Sequence, residues 1–388
     1  MLKRTILLLI MLSLVLIQGE QLVQAAINTD DFSKTVDSLR KEYDVPGVAI
    51  GLIEDGKIVM TRGFGYRIKN PEKPVGEDTL FQVASMSKPV AALGVMSLVH
   101  QDIIELDDAV EEHLTSWHLP ESEYDSSEVT IERLLSHYAG LGPGGYPGYP
   151  PDDELPTLKE ALAGGHQGTR PVKFNKKPGS EFSYAGGGYT ILQLMIEELS
   201  GMDFSHYMEH KILDPLEMNE SFFTSPKKED FNKLARPYSL YGGKLPNYLF
   251  IEKAAAGLYS TVTDYCKFIQ ANIAGYRGEG LLPEDVYEQM FTKVNEHYGL
   301  GWRVVELKDG ERVIAHGGAN YGWKSYTAFF PGRGDGIVIL TNSDRGLPFY
   351  RDVANTWYEG KGLEYRTETP GLCMIFLIDL YQRIVRVF

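Results

Sequence analysis

An α+β fold is predicted: one antiparallel sheet built from the N- and C-terminal segments, flanked by helices, with a mostly helical subdomain at about 106–250. Three observations lead there. A hairpin pattern lies near the start, at 45–66, and two more lie near the end, at 300–315 and 325–341. The middle of the chain carries helical spacing and loop signals but no strand alternation. Composition suits a large core, with 43% of the 388 residues hydrophobic and 23% charged. Strands at the two chain ends meet most simply as neighbours in one sheet, which then needs helices over its faces.

Residues 1–26 stand apart. Lys3 and Arg4 precede an apolar run at 6–17, and Ala25-Ala26 follows. A charged start, an apolar middle too short to span a bilayer comfortably, and a small-residue cut site make an export signal. Its removal takes two basic residues and one acidic one, moving the net charge from −15 to −16. The mature protein is expected to be secreted or to sit on the exterior of the cell envelope, and its acidity argues against nucleic acid as a partner. Two cysteines, Cys266 and Cys373, are too few for a disulfide framework, and nothing in the sequence pairs them. The nine histidines lack zinc spacing, and no Gly-rich loop follows a strand with a phosphate-binding lysine.

The main domain is expected at 27–365. It opens with a helix at about 31–43, capped by Asp30 or Asp31. "GVAIGLIEDGKIVMTRGFGY" places β-formers on both sides of an Asp55-Gly56 turn. "PVAALGVMSLVHQ", after Lys88, is apolar at helical spacing. Helical stretches follow at 131–136 and 189–199, whereas "PGGYPGYPPDDELP" is an irregular loop. Strands at 300–305 and 312–315 flank Lys308-Asp309-Gly310, and those at 325–330 and 336–341 flank "PGRGDG". A cleft between sheet and helical subdomain is the natural binding site. The tail at 366–388 ends in "GLCMIFLIDLYQRIVRVF", too short to cross a bilayer. It is read as packing on its own domain, with an amphipathic helix resting on a membrane surface as the alternative.

Within "VASMSKPVAAL", Ser85 and Lys88 are three apart, which puts them on one face of a helix. The positive end of the helix favours an alkoxide and disfavours an ammonium, and burial lowers a lysine's pKa further. That pairing makes a nucleophile and its base. Pro89 has no N–H to give the Ser85 carbonyl, so regular α bonding should begin a little later. Ser38-x-x-Lys41 and Ser225-x-x-Lys228 share the spacing but sit in solvated, charged settings. Tyr184, in "PGSEFSYAGGGYTIL", is placed on a loop ahead of three glycines and a helix. It can share the proton with Lys88 provided cationic neighbours keep its pKa down. "IAHGGANYGWKS" ends a strand with His316-Gly317-Gly318; paired glycines on an edge strand point to close approach of another backbone, such as a substrate lying alongside. The N–H groups of Ala319 and Ser85 then form an oxyanion hole.

Together and in this order, Ser85-Met86-Ser87-Lys88, Tyr184-Ala185-Gly186 and His316-Gly317-Gly318 resemble the three motifs of the serine penicillin-recognising superfamily: Ser-x-x-Lys, Tyr-x-Asn and Lys/His-x-Gly. "LDDAVEEHL", "LLSHYAGL", "AAAGLYST" and "YGLGW" match its supporting phrases, and the likeness runs from about 31 to 342. The superfamily includes class C β-lactamases, D-alanyl-D-alanine carboxypeptidases, D-stereospecific peptidases and esterases. The resemblance implies a β-lactamase/transpeptidase-like fold and a serine hydrolase without metal or cofactor. It implies Ser85 as the acylated nucleophile, with Lys88 and Tyr184 as base and proton carriers. It implies that His316 orients a substrate carboxylate or polarises Tyr184, with Gly317, Gly318 and Ala319 beside the substrate. The implied substrates are D-amino-acid peptides, including cell-wall stem peptides, with β-lactams as inhibitors or substrates. β-Lactam or ester hydrolysis is the alternative within the class; a non-catalytic penicillin- or peptidoglycan-binding protein is the alternative outside it. The pattern departs at Gly186, which replaces an asparagine that usually bonds the lysine and the substrate amide. Ser183, Ser87 or a water is expected to compensate, or the substrate differs. The histidine at 316 points toward peptidases and esterases. His137, in "LLSHYAGL", is read as structural.

Overall fold

A computed structural model describes residues 27–165, 170–363, 365 and 367. The expected export signal and the apolar tail lie outside the described residues. The helices that matter for the site are, in chain order, α1 (Thr29–Glu42), α2 (Ser87–His100), α3 (Ile131–Leu135), α4 (Leu158–Ala163), α5 (Gly186–Ser200), α6 (Phe204–Met208), α7 (Lys253–Ala256), α8 (Val262–Tyr276), α9 (Glu284–Met290) and α10 (Gly346–Gly360). The cap of α1 differs from expectation. Asn28 is the N-cap, its Oδ1 accepting from the amides of Asp30 and Asp31 at 3.1 Å each. Asp30 and Asp31 instead fill the first turn, where their charge meets the positive end of the helix.

The strands are β1 (Gly47–Glu54), β2 (Lys57–Lys69), β3 (Glu72–Pro74), β4 (Phe81–Gln82), β5 (Leu141–Gly142), β6 (Lys173–Phe174), β7 (Tyr259–Ser260), β8 (Arg303–Glu306), β9 (Arg312–Asn320), β10 (Trp323–Phe330) and β11 (Asp335–Thr341). Seven of them form one sheet in the order β3-β2-β1-β11-β10-β9-β8, all antiparallel. The two chain ends join where β1 pairs β11, from Val48↔Thr341 to Ile53↔Gly336. The first hairpin turns at Asp55 and Gly56, with φ of 47° and 71°, the left-handed pair that a two-residue turn needs. A hairpin absent from the sequence reading, β9–β10, runs β9 on to Asn320.

Both faces of the sheet are covered. Val48, Ile50 and Leu52 of β1 pack with Phe32 and Val36 of α1 and with Val353 and Trp357 of α10. Ala49 and Ile53 belong to the opposite core, which also holds Val262, Cys266 and Ile269 of α8. Each such aliphatic side chain, fully buried, contributes about 1.5–3 kcal/mol. Cys266 is a packing residue: burial pushes its thiol well above the usual range, away from reactivity. In α2 every residue from Ser87 to Leu98 is buried, so this helix is enclosed on all sides by the sheet and the helical subdomain. Among the described residues, no helix is long and apolar enough to cross a membrane.

Candidate active site

Ser85 sits on a fastened bend. After β4, buried Ala84 adopts φ of +51°, uncommon for a residue with a Cβ, and starts a short 3₁₀ turn, Ala84–Met86, that leads into α2. Ser325 Oγ of β10 donates to the Val83 carbonyl at 2.8 Å. Ser87 Oγ donates to the Ala84 carbonyl at 2.6 Å and accepts from the Leu258 amide at 2.9 Å. Tyr265 of α8 donates to the Met86 carbonyl at 2.9 Å. Ser87 is thus committed to backbone and does not replace the missing asparagine.

Lys88 Nζ lies 3.2 Å from Ser85 Oγ and donates to the Ala255 carbonyl at 2.7 Å. The Ala255 carbonyl therefore supplies the second partner that residue 186 lacks. Only 2% of Lys88 is exposed, and burial lowers its pKa from 10.5 to about 7. Its ammonium nitrogen is 4.9 Å from the centre of the Tyr184 ring. Burial pushes the Tyr184 phenol well above its usual range, against a smaller opposing effect of its hydrogen bond with Ser85. This corrects the expectation that neighbouring cations hold the tyrosine's pKa down. Burial dominates, so Tyr184 keeps its proton at neutral pH while Lys88 is poised to accept one. Ser38 and Ser225, the other serines with this spacing, are exposed.

The three glycines after Ala185, read as preceding the helix, form the first turn of α5. The amides of Gly186 and Gly187 donate to the carbonyls of Gly144 and Pro143 at 3.1 and 3.0 Å. A Cβ on Gly186 would lie 3.1 Å from Cε2 of Tyr146, whose hydroxyl bonds Thr190 Oγ1 at 2.9 Å. An aromatic ring thus crowds the space where the related asparagine would project. Gly186→Asn alone is expected to cost about 1–3 kcal/mol through overpacking. A Tyr146→Ala background should recover at least half of that loss, as read from urea denaturation midpoints.

On the sheet side, His316 is 3% exposed, and its Nδ1 donates to the Gly317 carbonyl at 2.8 Å, leaving Nε2 unprotonated. Burial, then the charge of Lys88, lower its pKa from 6.5 to about 3. Held neutral, the imidazole offers no charge to a carboxylate in this structure. Its ring centre is 6.5 Å from that of Tyr184. The close approach read from the paired glycines involves the chain's own backbone. A Cβ on Gly318 would stand 2.2 Å from both the Val83 carbonyl oxygen and Ser325 Oγ, whereas one on Gly317 would meet nothing nearer than 3.6 Å. β9 is an edge strand only beyond Ala315, where its pairing with β8 stops.

These residues meet at a cleft of about 1100 Å³ between the sheet edge and the helical subdomain. Ser85, Lys88, Tyr184, Gly186 and Ala319 line it, whereas His316, Gly317 and Gly318 are not among its lining residues. Sequence reasoning missed several lining groups. Tyr146 comes from the loop read only as irregular, though its dense Tyr, Gly and Pro content was a signal. Asn320 also lines the cleft, its Nδ2 donating to Gln82 Oε1 at 3.0 Å and to the Ala256 carbonyl at 3.2 Å.

The chain is similar to known proteins in sequence and to solved structures in fold. The chain is 22% identical over 331 residues to Protein flp of Staphylococcus aureus (strain COL), the match taking in 81% of this chain and 64% of flp. It therefore spans less than two thirds of that relative's length. Penicillin-binding protein 4 of Amycolatopsis lactamdurans is 26% identical over 359 residues, covering 82% of this chain and 86% of that one. Among solved structures, the octameric penicillin-binding protein homologue from Pyrococcus abyssi superposes with a TM-score of 0.71 at 27% identity, covering 87% of this chain and 78% of the other. SurE, solved with D-Leu, shares the fold at a TM-score of 0.69 and 24% identity, covering 88% and 78%. A family model described as Beta-lactamase matches residues 32–357, and by that extent, with the mixed fold just described, the chain belongs to the family of β-lactamase- and penicillin-binding-protein-like serine hydrolases.

Proposed function

We propose that the protein is an exported hydrolase that acylates Ser85 with D-amino-acid peptides, as a D-alanyl-D-alanine carboxypeptidase or D-stereospecific peptidase does. The observation that carries this reading is the 3.2 Å contact between Lys88 Nζ and Ser85 Oγ, with the lysine's pKa lowered to about 7. Neutral Lys88 takes the hydroxyl proton as Oγ attacks the substrate carbonyl. The N–H groups of Ser85 and Ala319, two residues that line the cleft, are assigned to the developing oxyanion, where one such donor is worth about 10²–10³ in rate. Tyr184, still protonated, gives its proton to the leaving amine and regains one from Lys88. Water then cleaves the ester bond to Ser85. His316, uncharged, is assigned to the Tyr184 side of the site rather than to a substrate carboxylate. Stem peptides ending in D-alanine are the proposed substrates, and β-lactams acylate the same serine as inhibitors or slow substrates. Ester hydrolysis is a second reading, favoured by Gly186, which offers no side chain to hold a scissile amide.

Intact-protein mass spectrometry after exposure to a labelled penicillin or a fluorophosphonate tests the acylation. One adduct is expected on the native protein and none on Ser85→Ala. No adduct on the native protein would instead indicate a non-catalytic peptide binder. A panel of D-Ala-D-Ala peptides, all-D peptides, their L counterparts, p-nitrophenyl esters and nitrocefin should show D peptides cleaved fastest; a preference for L peptides would overturn the stereochemical assignment.

A further inference from the structure

We infer that His137 is a positioning residue that holds Tyr184 over Ser85, an inference that rests on the proton-carrying role just given to Tyr184. Two amides flank the tyrosine, and both donate to His137. The Ser183 N–H reaches its carbonyl at 2.8 Å, and the Ala185 N–H reaches its Nδ1 at 3.2 Å. The imidazole and phenol rings lie with centres 4.2 Å apart. One residue thus fixes the tyrosine from before, from behind and across its face.

The conformation of His137 is costly to maintain. It has φ of +59°, a left-handed backbone that histidine, asparagine and glycine tolerate better than most residues. It is 1% exposed. Because Nδ1 accepts the Ala185 amide, the ring proton sits on Nε2, and Nε2 is buried without a hydrogen-bond partner. A side chain that only filled space would leave no orphaned donor, and leucine or phenylalanine would serve better. The imidazole is explained by the acceptor it offers at Nδ1. Burial and the nearby charge of Lys88 hold its pKa well below 6.5, so it stays neutral and does not compete for the proton that Lys88 carries. Tyr298 packs at 5.0 Å and Tyr189 at 5.3 Å from the same ring, closing an aromatic cage that prevents the imidazole from tilting.

The test compares substitutions that keep or remove the acceptor. His137→Asn keeps an oxygen near the Nδ1 position and suits the left-handed backbone; His137→Phe keeps a ring and removes the acceptor. The maximal rate of Ser85 acylation by the best D-peptide ester, its KM and the melting temperature are measured for each. His137→Phe is expected to lower the maximal rate by about 10²-fold, the scale of a 1 Å misplacement, with little change in KM. His137→Asn should recover to within about tenfold of the native rate. In a Tyr184→Phe background, the His137→Phe change should add no further loss, because residues acting as a unit are non-additive. If His137→Phe does not fold, His137→Gly, compatible with the backbone, takes its place and must show the same loss. The proposal is overturned if Asn and Phe lose rate equally in step with melting temperature, or if the loss persists in full without the phenol hydroxyl. Should Tyr184→Phe alone keep the native rate, the role of Tyr184 fails rather than that of its support.

Discussion

Replacing Lys88 with methionine is expected to slow Ser85 acylation by about 10³-fold while leaving the fold intact, since a positioned base contributes about 10²–10⁴. Methionine matches the length and apolar stem of a side chain that is only 2% exposed, but it accepts no proton and leaves the Ala255 carbonyl without its donor. Stopped-flow acylation by a chromogenic ester reads the effect; a loss under tenfold would show that another group is the base. The native enzyme carries a matching pH signature. In the proposed mechanism Lys88 acts deprotonated, so kcat/KM should rise as pH increases through about 7. Stability follows the same group. Between a folded pKa of about 7 and the ordinary 10.5, the unfolded chain binds the proton that the folded chain rejects, so this lysine's contribution to stability improves as pH rises across that window. The methionine variant has no such slope. Its stability relative to the native protein should therefore fall as pH rises from 7 towards 10.5.

Gly318→Ala is expected to disable the site from behind. The added methyl would lie 2.2 Å from the Val83 carbonyl oxygen, a backbone atom with no rotamer to change. The bend that carries Ser85 must shift, and a displacement of about 1 Å is enough to cost roughly 10² in rate. Overpacking adds a stability loss of about 1–3 kcal/mol. Gly317→Ala is the control one residue away: its nearest neighbour at 3.6 Å is in ordinary contact, so rate and stability should stay close to native. Equal behaviour of the two variants in acylation kinetics and urea unfolding would remove the claim that β9 braces the Ser85 turn.

How much of this was legible in the sequence depended on how local the cause was. The Asp55-Gly56 hairpin and the buried α2 were readable because their causes are turn chemistry and unbroken apolar character. The Ser85 and Lys88 pair was readable for the same reason, since three residues of separation set their meeting. The start of α5 was not. Glycine weakens a helix by propensity, yet here the carbonyls of Pro143 and Gly144, from a distant loop, accept its first amides. The paired glycines of β9 announced a close approach, but only the fold shows that Val83 makes it. The charge states of Tyr184 and His316 escaped for a related reason. A residue list names neighbours of either sign, whereas the depth of enclosure decides between them, and at both positions enclosure wins.

The bend before α2 has a consequence for the order in which the protein becomes reactive. Ser325 grips the Val83 carbonyl from 242 positions further along the chain. A half-made polypeptide already contains the serine, the lysine and the local bond from Ser87 Oγ to the Ala84 carbonyl, but the Val83 carbonyl before the left-handed kink still lacks its clamp. The kink is therefore gripped on both sides only once β10 docks, so the geometry of the Ser85 turn is completed by a strand made long after the turn itself.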